Sequence, residues 1–253
     1  MEQIIPKFID VNEHNISEEH LCCIIRKRKP HQGIEAKKRW LIDRFQEGHV
    51  FRKLNVEGIA FIEYAPLETA WVPIQGERYL YIYCLWVNGN LKGKGYGKLL
   101  MQSCIRDAME KGLSGICLLG AKKQKAWLTD QAFAKSFGFE VVDTTTYGYE
   151  LLALSFDGNK PKFMPTVKNH KVEYQDLSVY YSMQCPYICQ NLEIIKKYCE
   201  EKQLPYHLIP IDSVTKAKQL PFVFHNWAVC YQGEFITVNL LLNTKYLDRL
   251  FTR

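Results

Sequence analysis

No apolar run in this chain is long enough to cross a membrane, and residues 1–10 are short and mixed in character, unlike a secretory leader. The setting expected from this is the cytoplasm, with no membrane partner. Paired C-x-x-C spacings are missing too, although the chain holds nine cysteines, an odd number. That argues against a secreted disulfide framework and against a zinc site, so no metal is expected and the thiols are expected mostly reduced, in apolar settings. The net charge of +6 over 253 residues is modest and gathers in short clusters, Arg26-Lys27-Arg28-Lys29 and Lys122-Lys123-Gln124-Lys125. Nucleic acid calls for a basic stripe interleaved with aromatics, which is absent, so no nucleic-acid partner is expected. Each cluster reads as a solvated face; the second could also help to neutralise a phosphate-bearing ligand.

What is present is a core-forming composition, 47% hydrophobic, enough for one large domain or two small ones. Its organising stretch is residues 79–112. Residues 79–87, YLYIYCLWV, are aromatic and aliphatic with no charge, the composition of a strand buried on both faces. From Lys98 the period becomes helical: Leu100, Cys104 and Ala108 form one row, and Met101, Ile105 and Met109 the next. Gly112 is placed to end the helix. Between strand and helix lies Lys92-Gly93-Lys94-Gly95-Tyr96-Gly97. Alternate glycines let the backbone turn its N–H groups outward where a helix begins, and a helix N-terminus carries partial positive charge. The combination forms an anion cradle suited to phosphate. The G-x-G-x-x-G spacing of a dinucleotide-binding turn and the terminal G-K-[ST] of a Walker loop are both missing.

This junction resembles that of the Gcn5-related N-acetyltransferases, the GNAT family, whose Q/R-x-x-G-x-G/A motif is matched by Lys92-x-x-Gly95-x-Gly97 with lysine in the first position. The resemblance implies acetyl-CoA as cosubstrate, with its pantetheine arm along Leu85, Trp86 and Val87. Its pyrophosphate would lie on Lys92, Gly93, Lys94, Gly95, Tyr96, Gly97 and Lys98. Further on, Ala134-Lys135-Ser136-Phe137-Gly138-Phe139 is similar to the family's second signature, with a departure. Ala134 stands where many members carry the tyrosine that protonates the departing thiolate, and Trp127 lies near the place of the family's usual asparagine.

The elements around this stretch fit the same fold. Residues 8–11 read as a strand, residues 17–25 as a helix capped by Ser17, residues 35–46 as a second helix, and residues 49–55 and 58–64 as a strand pair. After the cofactor helix, residues 115–119 read as a buried strand, 129–137 as a helix and 138–142 as the start of another strand. The implied class is α/β (α+β): a mixed, mostly antiparallel GNAT sheet flanked by helices over residues 1–157. Residues 158–170, with two prolines and no periodicity, read as a linker. Over residues 171–253 the chain reads strand (177–181), helix to about 202, strand (206–211), an extended 220–224, strand (228–231) and a helix near 244–251. With Cys185-Pro186-Tyr187 before its first helix, this order resembles a small thioredoxin- or glutaredoxin-like domain. Its pairing with an acetyltransferase resembles proteins with a YoaP-like C-terminal domain.

The chemistry implied is transfer of acetyl from acetyl-CoA to a primary amine of a small molecule, peptide or protein, by direct attack in a ternary complex. Backbone N–H groups near Trp86 and Val87 would carry the charge of the tetrahedral intermediate. Histone-type members place a base where this chain has Tyr81, which leaves Glu63 and then Glu77 as candidate bases. Tyr147 or Tyr149 could protonate the thiolate, although both also read as ordinary exposed aromatics of a strand pair. Cys185, at a helix N-terminus, is a redox candidate with Cys189, although one helical turn leaves the two too far apart for an unstrained disulfide. The competing readings are a CoA-binding protein without catalysis and a thiol redox protein acting through Cys185.

Overall fold

The computed structural model describes residues 6–23, 31–168, 172–240 and 243–252. In chain order the N-terminal part contains β1 (Phe8–Asp10), α1 (Gln32–Phe45), β2 (Val50–Leu54), β3 (Ala60–Pro66), β4 (Ile74–Gln75) and β5 (Tyr79–Val87). These are followed by α2 (Tyr96–Glu110), β6 (Gly115–Ala121), α3 (Gln131–Lys135), β7 (Glu140–Thr144), β8 (Tyr149–Ser155) and β9 (Lys162–Phe163). Seven of the strands form one sheet in the order β1-β2-β3-β5-β6-β8-β7, in which only β5 and β6 run parallel. This is the mixed, mostly antiparallel sheet expected from the sequence.

Why β5 lacks charge is now physical. Its even residues, Leu80 and Ile82, pack on the Leu100, Met101, Cys104 and Ala108 face of α2. Its odd residues, Tyr79, Tyr81 and Tyr83, belong to the core on the other face, where Tyr81 and Tyr83 pack on His225 of the C-terminal part. A strand covered on both faces has no side on which to place a charge. Each fully buried aliphatic residue on the α2 side contributes roughly 1.5–3 kcal/mol.

The C-terminal part comprises β10 (Leu177–Tyr181), α4 (Tyr187–Lys202), β11 (Tyr206–Pro210), α5 (Val214–Gln219), β12 (Trp227–Tyr231), β13 (Glu234–Thr237) and α6 (Thr244–Phe251). Its sheet runs β11-β10-β12-β13, with β10 and β11 parallel and the other pairs antiparallel.

Four local expectations change. Residues 17–23 form turns rather than the start of a helix, while Ile24 and Ile25 lie outside the described residues. Just before them, Asn12 accepts from His14 N–H through its side chain (2.9 Å) and Asn15 accepts from Asn12 N–H (2.9 Å), so the chain enters this stretch through side-chain-bonded turns. Residues 220–224 form a bend and irregular chain rather than a strand, and Leu220, Phe222, Val223 and Phe224 are spent on packing. The helix α5 has no counterpart among the expected elements; Ser213 caps it by accepting from Lys216 N–H. Finally, residues 161–168 are not a slack linker. β9 pairs with β4, a 3-10 turn follows at Pro165–Lys168, and Phe163 and Val167 are buried.

One hydrophobic core runs through both parts, joining Tyr79, Tyr81 and Trp71 to Phe222, Phe224 and Phe235. Polar ties cross the same boundary. Lys218 Nζ donates to the Leu67 and Ile74 carbonyls (2.8 and 2.6 Å), and Thr166 Oγ1 donates to the Leu220 carbonyl (3.0 Å).

Candidate active site

The site is made by two neighbouring strands that part. β5 and β6 pair only from Tyr79 with Gly115 to Ile82 with Leu118. Beyond that, β6 continues beside β8 to Ala121, whereas β5 continues to Val87 beside β3 alone. One edge of residues 83–87 is therefore left without a strand partner. It forms one wall of a cleft of about 680 Å³, whose opposite wall includes Gln124, Trp127, Asp130 and Phe133.

The glycine loop lies at one end of this cleft. Gly93 and Gly95 both have φ of +78°, and a Cβ on either would meet nothing within 4 Å, so the loop is open above its backbone. The first main-chain bond into α2 is Leu99 N–H to the Gly95 carbonyl (3.0 Å). The amides just before it, through Lys98, are the unsatisfied donors of a helix start, and they accompany the positive end of a four-turn helix. The donor set fits a phosphate. Of the expected loop residues, Lys92, Gly93, Gly95, Tyr96, Gly97 and Lys98 line the cleft, as do Leu85, Trp86 and Val87. Lys94 does not; its side chain is exposed outside the lining.

At the other end, beyond Tyr83, Cys84, Cys23 and Trp127, the cleft adjoins a smaller chamber of about 50 Å³. In its wall Lys37 Nζ lies 2.6 Å from Glu63 Oε2, and outside the lining His49 Nε2 lies 3.0 Å from Glu63 Oε1. Burial by itself would raise the Glu63 carboxyl, but the Lys37 charge and the His49 hydrogen bond override it and hold Glu63 down at about 2. The C-terminal part contributes to the wall through Gln184, Cys185 and Pro186 in the turn after β10 and His225 and Asn226 before β12.

Two family models match this chain: the acetyltransferase (GNAT) family over residues 14–139 and the YoaP-like family over residues 205–249. The "Uncharacterized N-acetyltransferase YoaP" of Bacillus subtilis (strain 168) is 32% identical over 247 residues, covering 97% of this chain and 98% of that protein. The chain belongs to the GNAT acetyltransferase family. It is an acyltransferase with a YoaP-like C-terminal region, and the cosubstrate of the family is acetyl-CoA. Solved structures similar to part of this GNAT chain include the PaiA N-acetyltransferase of Thermoplasma acidophilum in complex with coenzyme A. It shows 15% identity and a TM-score of 0.43 over 60% of this chain and 100% of that one. The ribosomal-protein-S18-alanine N-acetyltransferase of Escherichia coli shows 15% identity and a TM-score of 0.41 over 60% of this chain and 94% of that one. Among the described residues no helix is long and apolar enough to cross a membrane.

Within this GNAT site the other sequence candidates fall in different places. Glu63 lines the chamber, but both its oxygens are engaged and its affinity for a proton is low, which suits a fixed counter-charge better than a base. Tyr149 is buried outside the cleft. Its hydroxyl accepts from Val238 N–H (3.1 Å) and lies 3.5 Å from Thr237 Oγ1, and its ring packs on Phe235. Tyr147 also packs on Phe235, so both tyrosines belong to the joint between the two sheets rather than to the thiolate's end of the cleft. Cys185 does line the chamber, yet the activation expected from a helix N-terminus does not prevail. Burial pushes its thiol up to about 12, against the smaller opposing effect of the Tyr187 N–H. Its helix begins at Tyr187, with Pro186 at the cap. Cys185 and Cys189 are both free thiols, and Cys189 Sγ lies 3.9 Å from Met183 Sδ. Ala134 is fully buried against the α2 core, turned away from the cleft.

Sequence reasoning did not find Lys37, His49, Gln184 or His225 as parts of a site. Nothing in the local sequence of α1 marks Lys37 as buried. His225 Nδ1 lies 2.6 Å from the Tyr81 hydroxyl, a contact between residues 144 apart in the chain. Burial drives His225 down to about 4, so it is neutral near pH 7.

Proposed function

We propose that the chain transfers the acetyl group of acetyl-CoA to a primary amine by direct attack in a ternary complex. The observation that carries this reading is the single run of cleft from the open glycine loop, along the unpaired edge of β5, to the chamber beside Glu63. The loop amides and Lys92 and Lys98 would hold the pyrophosphate, and the free backbone groups of residues 83–87 would hold the pantetheine arm. The thioester would then lie near Tyr83 and Cys84, where cleft and chamber meet.

An unprotonated amine entering through the chamber attacks the thioester carbonyl carbon. A C–N bond forms, and backbone N–H groups of β5 stabilise the oxyanion. The C–S bond then breaks, the nitrogen gives up a proton to solvent in the open cleft, and the CoA thiolate takes one from it. The products are an amide and CoA. The environments of the residues support direct attack over an acetyl-enzyme, because burial raises the thiols of Cys84 and Cys185 and leaves neither ionised near neutral pH. The same fact speaks against the thiol redox alternative.

Isothermal titration with acetyl-CoA, together with CoA release on a panel of amines, tests the reading. Gly95→Glu puts a carboxylate into the anion cradle at a left-handed backbone position. It is expected to weaken acetyl-CoA at least tenfold, roughly the effect of 1.4 kcal/mol. Wild-type protein that does not bind acetyl-CoA would refute the proposal, and binding without release on any amine would favour a CoA-binding protein without catalysis.

A further inference from the structure

Resting on that reading of the donor cleft, we infer that the C-terminal part completes the acceptor site and that the acceptor is a slim small-molecule amine rather than a peptide or protein N-terminus. The chamber next to the thioester position is enclosed from two sides. Leu21, Phe61 and the Lys37–Glu63 pair come from the N-terminal part, and Gln184, Pro186 and Leu240 from the C-terminal part. Its volume is about 50 Å³. That is room for an amine on an unbranched chain of a few atoms, and too little for a peptide backbone with its side chains.

The C-terminal wall is built, not merely adjacent. Asn226 Nδ2 donates to Gln184 Oε1 (2.7 Å) and Ser182 N–H donates to the Asn226 carbonyl (3.0 Å), tying the two turns that face the chamber. Gln184 is 2% exposed and lines the chamber, with its Oε1 held by Asn226. The joint that sets the wall's position is tight, because a Cβ on Gly33 of α1 would lie 1.8 Å from the Pro186 carbonyl oxygen. The remaining charge in the wall, Lys37 against Glu63, is internally paired, so the chamber does not demand an ionic acceptor. It suits a short, largely apolar chain.

Two bisubstrate probes test this on the full chain, whichever amine is the natural acceptor. In one, CoA sulfur is joined through an S–CH2–CO bridge to the nitrogen of n-propylamine; in the other, the same bridge joins the N-terminus of a tripeptide. By calorimetry the propyl conjugate is expected to bind roughly tenfold or more tightly than acetyl-CoA, from burial of about three methylene groups. The tripeptide conjugate is expected to bind no better than acetyl-CoA. Cys185→Phe, which fills the chamber, and the milder Cys185→Leu, which narrows it, should each erase the propyl gain while acetyl-CoA affinity is kept. A tripeptide conjugate as tight as the propyl one, or a gain that survives both substitutions, overturns the inference. Normal acetyl-CoA binding with no propyl gain overturns the chamber alone, whereas absence of acetyl-CoA binding brings down the donor reading beneath it.

Discussion

Glu63 shows how far a single residue's meaning depends on what surrounds it. On β3 it reads as a surface carboxylate or a base, but it is fully buried between Lys37 and His49. A buried ion pair gives little net stability as a pair, yet breaking it strands the surviving charge. Glu63→Gln is therefore expected to cost about 3–5 kcal/mol in urea unfolding, with Lys37→Met in the same chain recovering much of the loss. If Glu63→Gln costs less than about 1 kcal/mol, Lys37 is finding solvent that the geometry denies it. Glu63 and Lys37 are both legible in the sequence as residues; their pairing across 26 positions is not, because nothing in α1 or β3 alone shows that the two faces meet without water.

At the scale of elements the informative features are those where backbone approaches backbone. Gly115 opens β6 with φ +158°, and a Cβ there would lie 2.2 Å from the Leu154 carbonyl oxygen and 2.7 Å from the Tyr79 ring. Gly115→Ala should therefore destabilise by about 1–3 kcal/mol through overpacking, seen as a lower midpoint in denaturant. The contrast with Gly93 and Gly95 is useful. Those two have open space around them, so their glycine character serves backbone conformation and access to the loop amides rather than packing. The glycine loop and the uncharged strand before it carried most of the donor site in the sequence, because phosphate binding by main-chain amides needs only local chain geometry. The parting of β5 from β6, which makes the cleft, is a matter of pairing partners and leaves no mark within β5 itself.

Across the whole molecule, the docking of the two parts is expected to respond to acid. His225 is buried with its imidazole depressed to about 4 from an ordinary value near 6.5, and it contacts Tyr81 of the central strand. Between those values the unfolded chain binds the proton that the folded chain refuses. Stability therefore rises with pH across that window, is complete above about 6.5, and falls on acidification toward 4. The slope approaches about 1.4 kcal/mol per pH unit for one group. Glu63, held at about 2 against an ordinary 4.5, adds a second loss below pH 4.5. Melting temperature followed from pH 7.5 to 5 should fall in the wild type and fall less in His225→Gln; an equal fall in both would remove His225 as the cause.

By itself the sequence determined the parts list: a sheet with an uncharged central strand, an amphipathic helix behind it, an anion-binding loop between them, and a second set of strands and helices after a proline-bearing stretch. These follow from local periodicity, turn residues and backbone conformation, which act over a few residues. Only the tertiary structure decided which side chains share the acceptor chamber. Lys37, Glu63, Gln184, Cys185 and His225 come from distant segments. They are brought together by one hydrophobic core spanning both parts, and the shared interior then reverses what local position alone suggested: a helix-start thiol is raised by burial, and a strand carboxylate is locked as a counter-charge by its partners. Desolvation depends on every neighbour at once, and no window of sequence contains them all.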